Sequence, residues 1–389
     1  MSDRRLSRKE LAKRNKKQNR KRKNMRTLLI VAVTVVLLYI TGLYGASLAF
    51  LGDFVASGMT WLQIGGGFPA DGDYSSVLQA ENMGSGLAVL TSDSFEVYSP
   101  TAKKVFSYGH SMTNPVMDAA SSRAVIYESN RNEMKITNNH NILFRQEMKN
   151  SIIHACISDS NRIAVTTRSD SYNGEVSVYN YNMDKRFTWY CATGFPVYSV
   201  LSDSGKTLAV TTVQTVDGIL QSNIYVIDAA KGGEKFTVAS GDYPRNIIFL
   251  SDEKMLAVYS DSIQLWDVST GTMTGEQIFT GNILAVETAG AYIAVARGSY
   301  TQGTDSTLSL LGTDFSRKFT VNVPERIKAI SVSRSRVYAL GEENLFEYDY
   351  SSNLMNTLST GALAKKLVTW NGTVLIDSTQ IAKVEKTTK

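Results

Sequence analysis

Hydrophobic residues follow two different patterns along the chain. Residues 27–52 carry no charge and form one continuous apolar run, whereas from residue 75 onward short apolar stretches alternate with polar turns. At about 1.5 Å per residue, the run Leu28–Leu51 is about 36 Å long, which is enough to cross a hydrocarbon core of about 30 Å. The first pattern predicts a transmembrane helix over 27–52, and the second predicts short β-strands.

A cleaved signal peptide is the alternative to a permanent anchor. The segment Ala46–Ala49 offers the small residues that a cleavage site needs. The apolar region of a signal peptide is usually only about 7–15 residues long, however, and here Phe50 and Leu51 continue the run beyond those small residues. The length favours a single-pass signal anchor.

Residues 53–74 are predicted to be a stalk that links the helix to a folded domain. Trp61 and Leu62 suit a continuation of the helix in the membrane interface, and the glycines of Gly65–Pro69 break it. This composition predicts a flexible joint, followed by one extracytoplasmic domain over 75–389.

A short strand signature recurs throughout that domain: Ala and Val after a residue that is mostly aliphatic. It occurs at Leu87–Val89, Arg123–Val125, Ile163–Val165, Leu208–Val210, Leu256–Val258 and Ile293–Val295, with weaker copies at Val337–Ala339 and Thr373–Leu375. Neighbouring copies are 36 to 48 residues apart. A period near forty residues in an all-β chain is typical of a β-propeller with one four-stranded blade per repeat.

The repeats predict eight blades, with seven as the alternative if one weak unit is misread. The last unit, from Lys365 to Val384, has only three strands, so the outer strand that closes the ring is expected from around Phe68–Ser75. Proline placement agrees with this register. Proline is excluded from central strands, and four prolines precede new inner strands, namely Pro115, Pro196, Pro244 and Pro324.

Basic residues are concentrated ahead of the apolar run. The net charge is +5, but residues 1–26 hold 13 Lys and Arg against 2 acidic residues, or +11, which leaves −6 for residues 27–389. Because Lys and Arg beside a span stay on the cytoplasmic side, 1–26 is predicted to be a cytoplasmic tail near anionic lipids, in a protein of the cell membrane. Nucleic-acid binding is the alternative, but the tail has no aromatic residue to stack on bases.

No pattern of catalytic, cofactor-binding or metal-ligating residues emerges. Cys156 and Cys191 fall in the first and fourth strands of one blade, roughly 14 Å apart, so both are predicted to be unpaired thiols. His154 shares a strand face with Cys156, which makes contact possible, but a packed thiol beside a channel histidine is the simpler interpretation. We expect no cofactor and no metal.

The candidate binding residues come from lengthened connections. Three units carry long loops between their second and third strands, at 168–175, 214–223 and 297–306. In a propeller these loops emerge on the same face as the connections between blades, and insertions confined to one face often mark a binding face. Arg and Tyr are enriched in binding hot spots. The predicted binding-face residues are therefore Arg168, Tyr172, Arg297 and Tyr300.

Several motifs resemble known propellers. The Ser202–Gly205 turn, the Ala-Val strands and the Trp266-Asp267 dipeptide resemble the broad group of WD40, YVTN and quinoprotein-like propellers. The whole arrangement of basic tail, single span, Gly-Phe-Pro stalk and propeller resembles a family of membrane-anchored propellers from Gram-positive anaerobes that carries a domain-of-unknown-function label. The resemblance covers nearly the full chain and implies the fold, but no catalytic residue.

Together these features predict a membrane-tethered extracytoplasmic propeller that acts as a binding or scaffolding module. Its expected partner is a protein, peptide or glycan of the cell envelope, and no nucleic acid. Two alternatives stay open. One is an envelope hydrolase or lyase with its site in the propeller channel, and the other is a receptor that senses a ligand. The lack of a catalytic motif favours a non-enzymatic role.

Overall fold

A computed structural model describes residues 44–298, 305–333 and 335–384. An α-helix, α1, runs over Tyr44–Leu62 and is followed by the short strand β1, Ala70–Asp71. The remaining strands form antiparallel sheets of four strands each, and there are eight such sheets in the described part of the chain. The prediction of an all-β propeller with eight four-stranded blades is confirmed, and the alternative of seven blades is wrong.

Each of the first four blades is a meander whose first strand lies innermost. Blade 1 consists of β2 (Val77–Met83), β3 (Gly86–Thr91), β4 (Ser94–Tyr98) and β5 (Lys104–Gly109). Blade 2 consists of β6 (Pro115–Ala119), β7 (Arg123–Glu128), β8 (Glu133–Asn138) and β9 (Ile142–Glu147). Blade 3 consists of β10 (Ile152–Ile157), β11 (Ile163–Thr167), β12 (Gly174–Tyr179) and β13 (Lys185–Cys191). Blade 4 consists of β14 (Phe195–Leu201), β15 (Thr207–Val216), β16 (Ile219–Asp228) and β17 (Glu234–Ser240).

The other four blades follow the same order, except that the last borrows a strand. Blade 5 consists of β18 (Asn246–Ser251), β19 (Lys254–Val258), β20 (Ser262–Asp267) and β21 (Thr272–Ile278). Blade 6 consists of β22 (Asn282–Ala289), β23 (Tyr292–Gly298), β24 (Ser306–Gly312) and β25 (Arg317–Val323). Blade 7 consists of β26 (Ala329–Val332), β27 (Arg336–Leu340), β28 (Asn344–Asp349) and β29 (Leu354–Ser359). Blade 8 consists of β30 (Ala364–Thr369), β31 (Thr373–Asp377), β32 (Gln380–Val384) and β1, after a short 3₁₀ turn at Gly361–Leu363.

The two ends of the domain close the ring. Strand β1 pairs antiparallel with β32, with Ala70 opposite Ile381, so a segment before the first blade completes the last one. The indole nitrogen of Trp370, at the β30–β31 turn, donates to the carbonyl of Gly84 in blade 1 over 2.9 Å. The closing strand expected from around Phe68–Ser75 is therefore present, and this pairing joins sequence positions more than 300 residues apart.

The Ala-Val signature marks the second strand of each blade because that strand is buried on both sides. Every residue of β3 and of β11 is buried, so these strands show no alternation of apolar and polar residues. Both faces of a blade pack against neighbouring blades, as where Phe319 of blade 6 and Phe346 of blade 7 share one core cluster. A small Ala between larger aliphatic residues lets adjacent blades approach closely.

The meander gives the ring two different faces. Turns between the first and second strands and between the third and fourth strands form one side, which we call the turn face. Loops between the second and third strands, together with the connections from blade to blade, form the other, which we call the loop face. Because every blade has the same strand order, each connection type stays on one face around the ring.

The predicted membrane span, 27–52, lies largely outside the described residues, which begin at Tyr44. In the part of the chain that is described, no helix is long and apolar enough to cross a membrane. The chain divides into two compact units, Met1–Gly52 and Asp53–Lys389, so the second half of α1 belongs with the propeller.

Residues 63–70 are packed against blades 1 and 8 where the sequence predicts a flexible joint. The hydroxyl of Thr101, in the β4–β5 turn, donates to the Gln63 carbonyl over 2.7 Å and accepts from the Gly65 amide over 2.9 Å. A Cβ at Gly65 would lie 2.3 Å from the Thr101 carbonyl oxygen, so only glycine permits this approach. Phe68 then packs edge-on against Trp370, with ring centroids 6.2 Å apart.

Candidate functional site

A depression of about 380 Å³ opens on the loop face at blades 3 and 4. The β11–β12 loop, residues 168–173, forms one wall, and the start of β14 forms the other. The lining residues are Asn130, Ile153, Arg168, Ser169, Tyr172, Asn173, Phe195, Pro196 and Val197. Two of the four residues predicted for the binding face, Arg168 and Tyr172, therefore lie in the same depression.

Aromatic side chains stand exposed around this depression. Tyr172 packs against Tyr190 of β13 in a tilted arrangement, with ring centroids 4.8 Å apart. Tyr172 is 47% exposed, Tyr190 51% and Phe195 60%. Three large aromatic side chains with about half of their surface in water form an apolar patch of the kind that marks an interaction site.

The floor of the depression is a tight junction between the two blades. Gly174 opens β12 directly beneath Pro196 of β14, and a Cβ at Gly174 would lie 2.4 Å from the proline Cγ. Gly174 thus allows the strands to approach more closely than any other residue would. The aromatic side chains are consequently held on a rigid base.

Charged groups lie at the rim. Arg168 is exposed, and its main-chain amide donates to the Ser151 carbonyl over 3.0 Å, which fixes the start of the loop. On the same loop Asp170 pairs with Lys149, with 2.6 Å between the carboxylate and ammonium groups. This pair is exposed to water and contributes little to stability. Arg168 therefore adds an exposed basic side chain to the lining of the depression.

Blade 4 carries a projecting hairpin where the sequence predicts a loop at 214–223. Strands β15 and β16 continue to the pair Val216–Ile219, and the turn is made by Asp217 and Gly218, both with positive φ (52° and 79°). Such a two-residue turn matches the twist of a hairpin. Val216, Ile219 and Leu220 are exposed at its tip, so the hairpin adds apolar surface to the loop face.

The tip of this hairpin has unpaired edges. The inner neighbour β14 pairs no further along β15 than Val213, and the outer neighbour β17 pairs no further along β16 than Ser222. Residues 214–221 therefore form a two-stranded ribbon whose outward-directed main-chain groups are not used by β14 or β17. An exposed strand edge is a template for pairing with another chain.

The other two predicted binding residues lie elsewhere. Arg297 is in β23 of blade 6, two blades beyond blade 4, and its guanidinium lies 5.2 Å from the Phe279 ring centroid. Burial, with a smaller contribution from Arg317, lowers the pKa of Arg297. Tyr300 lies outside the described residues. Arg297 shares the loop face with Arg168, but the structure does not bring these two residues together.

Partly buried carboxyl groups line the inner strands, and sequence reasoning missed them. Glu81 of β2 accepts the Ala119 amide of blade 2 over 2.6 Å, and Asp118 of β6 accepts the Ile157 amide of blade 3 over 2.6 Å. Burial raises the pKa of both groups, as it raises the pKa of Glu287 on β22 to about 7. An acid in a predicted inner strand was the available signal. These two acids tie neighbouring inner strands together.

The thiols and the histidine of blade 3 are packed side chains. Cys156 and Cys191 lie in β10 and β13; both are free, as predicted, and both are buried. Burial raises the pKa of the Cys156 thiol, so the thiol stays protonated at neutral pH. His154 has its pKa lowered to about 4 by burial, and its ring packs on Tyr198 with centroids 4.6 Å apart. A neutral imidazole beside a protonated thiol does not form an activated nucleophile.

Turns between the first and second strands carry aspartates that link neighbouring blades on the turn face. The carboxylate of Asp159 accepts the Ser121 amide over 2.9 Å, and the Asp203 carbonyl accepts the Ser160 amide over 3.0 Å. The Ser204 hydroxyl in turn donates to the Asp252 carboxylate. Each acid-bearing turn is thus hydrogen-bonded to the turn of the preceding blade, which supports a structural role for these acids.

Residues 70–385 match a family of unknown function, DUF5711. The chain belongs to this family. The match starts at β1 and ends one residue after β32, so it spans the closed ring from its first strand to its last. A comparison with curated proteins found no match.

Solved structures share the fold at low sequence identity. BamB from Moraxella catarrhalis is similar with a TM-score of 0.54 and 12% identity, over 81% of this chain and 98% of that one. Sqt1 from Chaetomium thermophilum, bound to the N-terminus of the ribosomal protein L10, has a TM-score of 0.58 and 12% identity, over 81% and 98% of the two chains. The dihydro-heme d1 dehydrogenase NirN has a TM-score of 0.58 and 9% identity, over 74% and 67%. At such identities the likeness shows the propeller fold alone.

Proposed function

We propose that this chain is a membrane-tethered propeller that binds a protein partner in the cell envelope through the loop face of blades 3 and 4. The observation that carries the proposal is the exposed aromatic group of Tyr172, Tyr190 and Phe195 beside the apolar tip of the blade 4 hairpin. Aromatic side chains on a rigid base contribute binding energy with little loss of conformational entropy.

The hairpin edge favours a partner that contributes an extended segment. Main-chain groups of 214–221 that β14 and β17 leave unused can pair with an added strand, and Ile219 and Leu220 supply apolar contacts beside it. A propeller of the same fold, Sqt1 from Chaetomium thermophilum, was solved with the N-terminus of the ribosomal protein L10 bound. That example supports a peptide-like ligand over a glycan, although the partners need not be related.

The tether is proposed from the sequence. The +11 charge of residues 1–26 and the uncharged run 27–52 favour a cytoplasmic N-terminus and an extracytoplasmic propeller. In this orientation the envelope is where the partner is expected. Protease added outside intact cells should then cut within 75–389 and spare the tail.

The test is affinity purification of the full chain from its native membrane after crosslinking. A variant with Tyr172→Ala and Phe195→Ala should lose the enriched partner. Its matched control is Leu354→Ala with Leu358→Ala, which removes two exposed apolar side chains from the outer strand of blade 7. Retention of every partner by the aromatic variant, or equal loss in both variants, would contradict the proposal.

A catalytic channel is the second candidate because partly buried acids line it. Glu81 and Asp118 have raised pKa values, as general acids often do. Both carboxyl groups nevertheless accept main-chain amides from the next blade, which supports a structural role. If the protein is a hydrolase, Asp118→Asn should abolish turnover. If it is a binding module, the same variant should keep its partner and show only reduced stability.

A further inference from the structure

The stretch from residue 27 to residue 70 contains a single charged residue, Asp53. This charge lies at the point where α1 enters the propeller unit, directly after the uncharged run 27–52. An isolated carboxylate at this position would oppose contact between the segment and a membrane, because ionised groups are costly to move out of water.

The propeller neutralises that charge. The Nε of Arg123, at the start of β7, lies 2.7 Å from Oδ2 of Asp53, and the Nδ2 of Asn138 donates to Oδ1 over 3.1 Å. Both charged side chains are almost fully buried, with 2% and 5% of their surface exposed. Arg123 also donates to the Tyr181 carbonyl in the β12–β13 turn of blade 3. Turns of blades 2 and 3 therefore both contribute to the docking of the helix. No net charge remains at the helix surface from this pair.

One stripe of the helix is docked on the turn face. Ala56 and Thr60 lie on the same side as Asp53 and are buried. The Nε2 of His140, in the β8–β9 turn, lies 3.0 Å from the Ala56 carbonyl and 2.9 Å from the Thr60 hydroxyl. The orientation of the helix on blade 2 is therefore fixed by polar contacts at two successive turns.

The opposite stripe is apolar and exposed. It consists of Phe54, Val55, Met59, Trp61 and Leu62, and the chain continues with exposed Ile64. A helix that packs on a water-soluble domain normally presents polar side chains to solvent. Here the solvent-facing side is the less polar one, and it includes a Trp, the residue that is enriched at the boundary between lipid and water.

We infer that this exposed stripe of residues 54–64 lies in the interfacial region of a lipid bilayer. The proposal rests on the membrane tether proposed above and deepens it. The turn face of blades 1–3 then faces the membrane, and the depression on the loop face points away from it, toward a partner. Because the stripe directly follows the uncharged run 27–52, we assign lipid as its surroundings. A second copy of this chain is the alternative that the experiment must distinguish.

Charges at the flanking turns are compatible with lipid headgroups. Lys103 of the β4–β5 turn and Lys185 and Arg186 at the start of β13 are exposed on the turn face, on either side of blade 2. The nearby carboxylate of Asp159 is hydrogen-bonded to the Ser121 amide. Basic groups on the same face of the ring as the docked helix would meet anionic headgroups when the stripe is inserted.

The experiment places an environment-sensitive nitrobenzoxadiazole label on the full chain, reconstituted in vesicles of phosphatidylcholine and phosphatidylglycerol. Trp61→Cys and Phe54→Cys place the label on the stripe, and Tyr172→Cys places it on the loop face as the matched exposed control. The native thiols Cys156 and Cys191 are buried, so the unsubstituted chain serves as the control for labelling. The fluorescence of each label is quenched in separate experiments, once by lipids that carry a spin label near the headgroup and once by iodide in the water phase.

We expect the emission of the labels at 54 and 61 to shift to the blue and to be quenched by the spin-labelled lipid, while iodide quenches only the label at 172. Quenching of all three labels by iodide alone would overturn the inference. Protection of 54 and 61 from both quenchers, with formation of a disulfide between two unlabelled Trp61→Cys chains, would assign the stripe to a second copy and also overturn it. If the chain fails to co-sediment with vesicles, the tether itself is wrong, whereas co-sedimentation without lipid quenching refutes only the orientation inferred here.

Discussion

The turn face and the loop face of this propeller are built from the same repeated blades but differ in how their polar and apolar groups are used. On the turn face, serine and aspartate side chains bond from one turn to the next, and the buried pair Asp53–Arg123 holds the helix. On the loop face, Tyr172 and Phe195 stand half in water. The repeated blades stabilise the ring. Departures from the repeat make the two faces different: the turn face bonds to other parts of this chain, and the loop face offers a surface for a partner.

The difference also shows in the length of the connections. Turns on the turn face are short and closed by their own hydrogen bonds, as where the Ser158 amide donates to the Arg162 carbonyl over 2.9 Å. On the loop face the blade 4 hairpin extends beyond both of its neighbours. Lengthening confined to the loop face is the pattern expected where function, and not folding, sets the length.

Breaking the ion pair on the turn face should have the largest effect on stability. Arg123→Met leaves the Asp53 carboxylate buried without its cation, and removing one partner of a buried pair costs about 3–5 kcal/mol in the free energy of unfolding. Denaturant unfolding of the full chain in detergent measures this loss. The double variant Asp53→Asn with Arg123→Met should recover most of it, because no charge is left buried.

Arg168→Met on the loop face is the matched control for that variant. Arg168 is exposed, so its replacement should change the free energy of unfolding by less than about 0.5 kcal/mol. Equal losses for Arg123→Met and Arg168→Met would remove the distinction between the two faces.

An acid on an inner strand, Glu287 of β22, should make the stability of the fold depend on pH. Burial raises the folded-state pKa of Glu287 from 4.5 to about 7, so its ionised form is disfavoured in the fold. Stability that is present below about pH 4.5 is then lost as the pH rises through 7, by about 3 kcal/mol for this group. Glu287→Gln should remove this loss, which thermal unfolding at pH 4.5 and pH 7.5 would detect. A parallel pH profile for the variant and the unsubstituted chain would contradict the prediction.

The floor of the depression should be sensitive to one added methyl group. Gly174→Ala places a Cβ 2.4 Å from the Cγ of Pro196, and the resulting overpacking should cost about 1–2 kcal/mol in the free energy of unfolding. Gly233→Ala is the control, since a Cβ there meets nothing within 4 Å. Equal stability of the two variants in denaturant unfolding would show that the junction of blades 3 and 4 is looser than the structure indicates.

Changes at the hairpin tip should affect stability least. Ile219→Lys with Leu220→Lys alters two exposed side chains, so the free energy of unfolding should change by less than about 0.5 kcal/mol. Partner capture, measured by crosslinking to the full chain, should nevertheless decrease. Unchanged capture would remove the hairpin from the proposed binding surface.

Much of the fold could be predicted because each blade repeats one physical requirement. The second strand is buried on both sides, which selects the Ala-Val signature, and Ala88, Ala124 and Ala164 are all fully buried as that explanation requires. The closing strand could be predicted because the last unit lacks one strand and a ring must close. In each case the information lies in local composition repeated at a fixed period.

The rest depended on contacts between distant positions. Nothing in the local sequence pairs Asp53 with Arg123, so the segment after the apolar run read as a joint, and its packing against Thr101 was not foreseen. The polar residues near Asp217 read as a loop because a hairpin that projects beyond its sheet lacks a buried face to impose alternation. The grouping of Tyr172 with Phe195 requires the junction of two blades, which only the register of the ring defines.

Site-specific photo-crosslinking in intact cells tests the central claim most directly. A benzophenone side chain would replace Phe195 or Ile219 on the loop face of blades 3 and 4, and Leu354 on the outer strand of blade 7 would serve as the equally exposed control. The proposed function predicts that the same partner protein becomes crosslinked at 195 and 219 and not at 354. Adducts at 354 alone, or an identical set of adducts at all three positions, would contradict it.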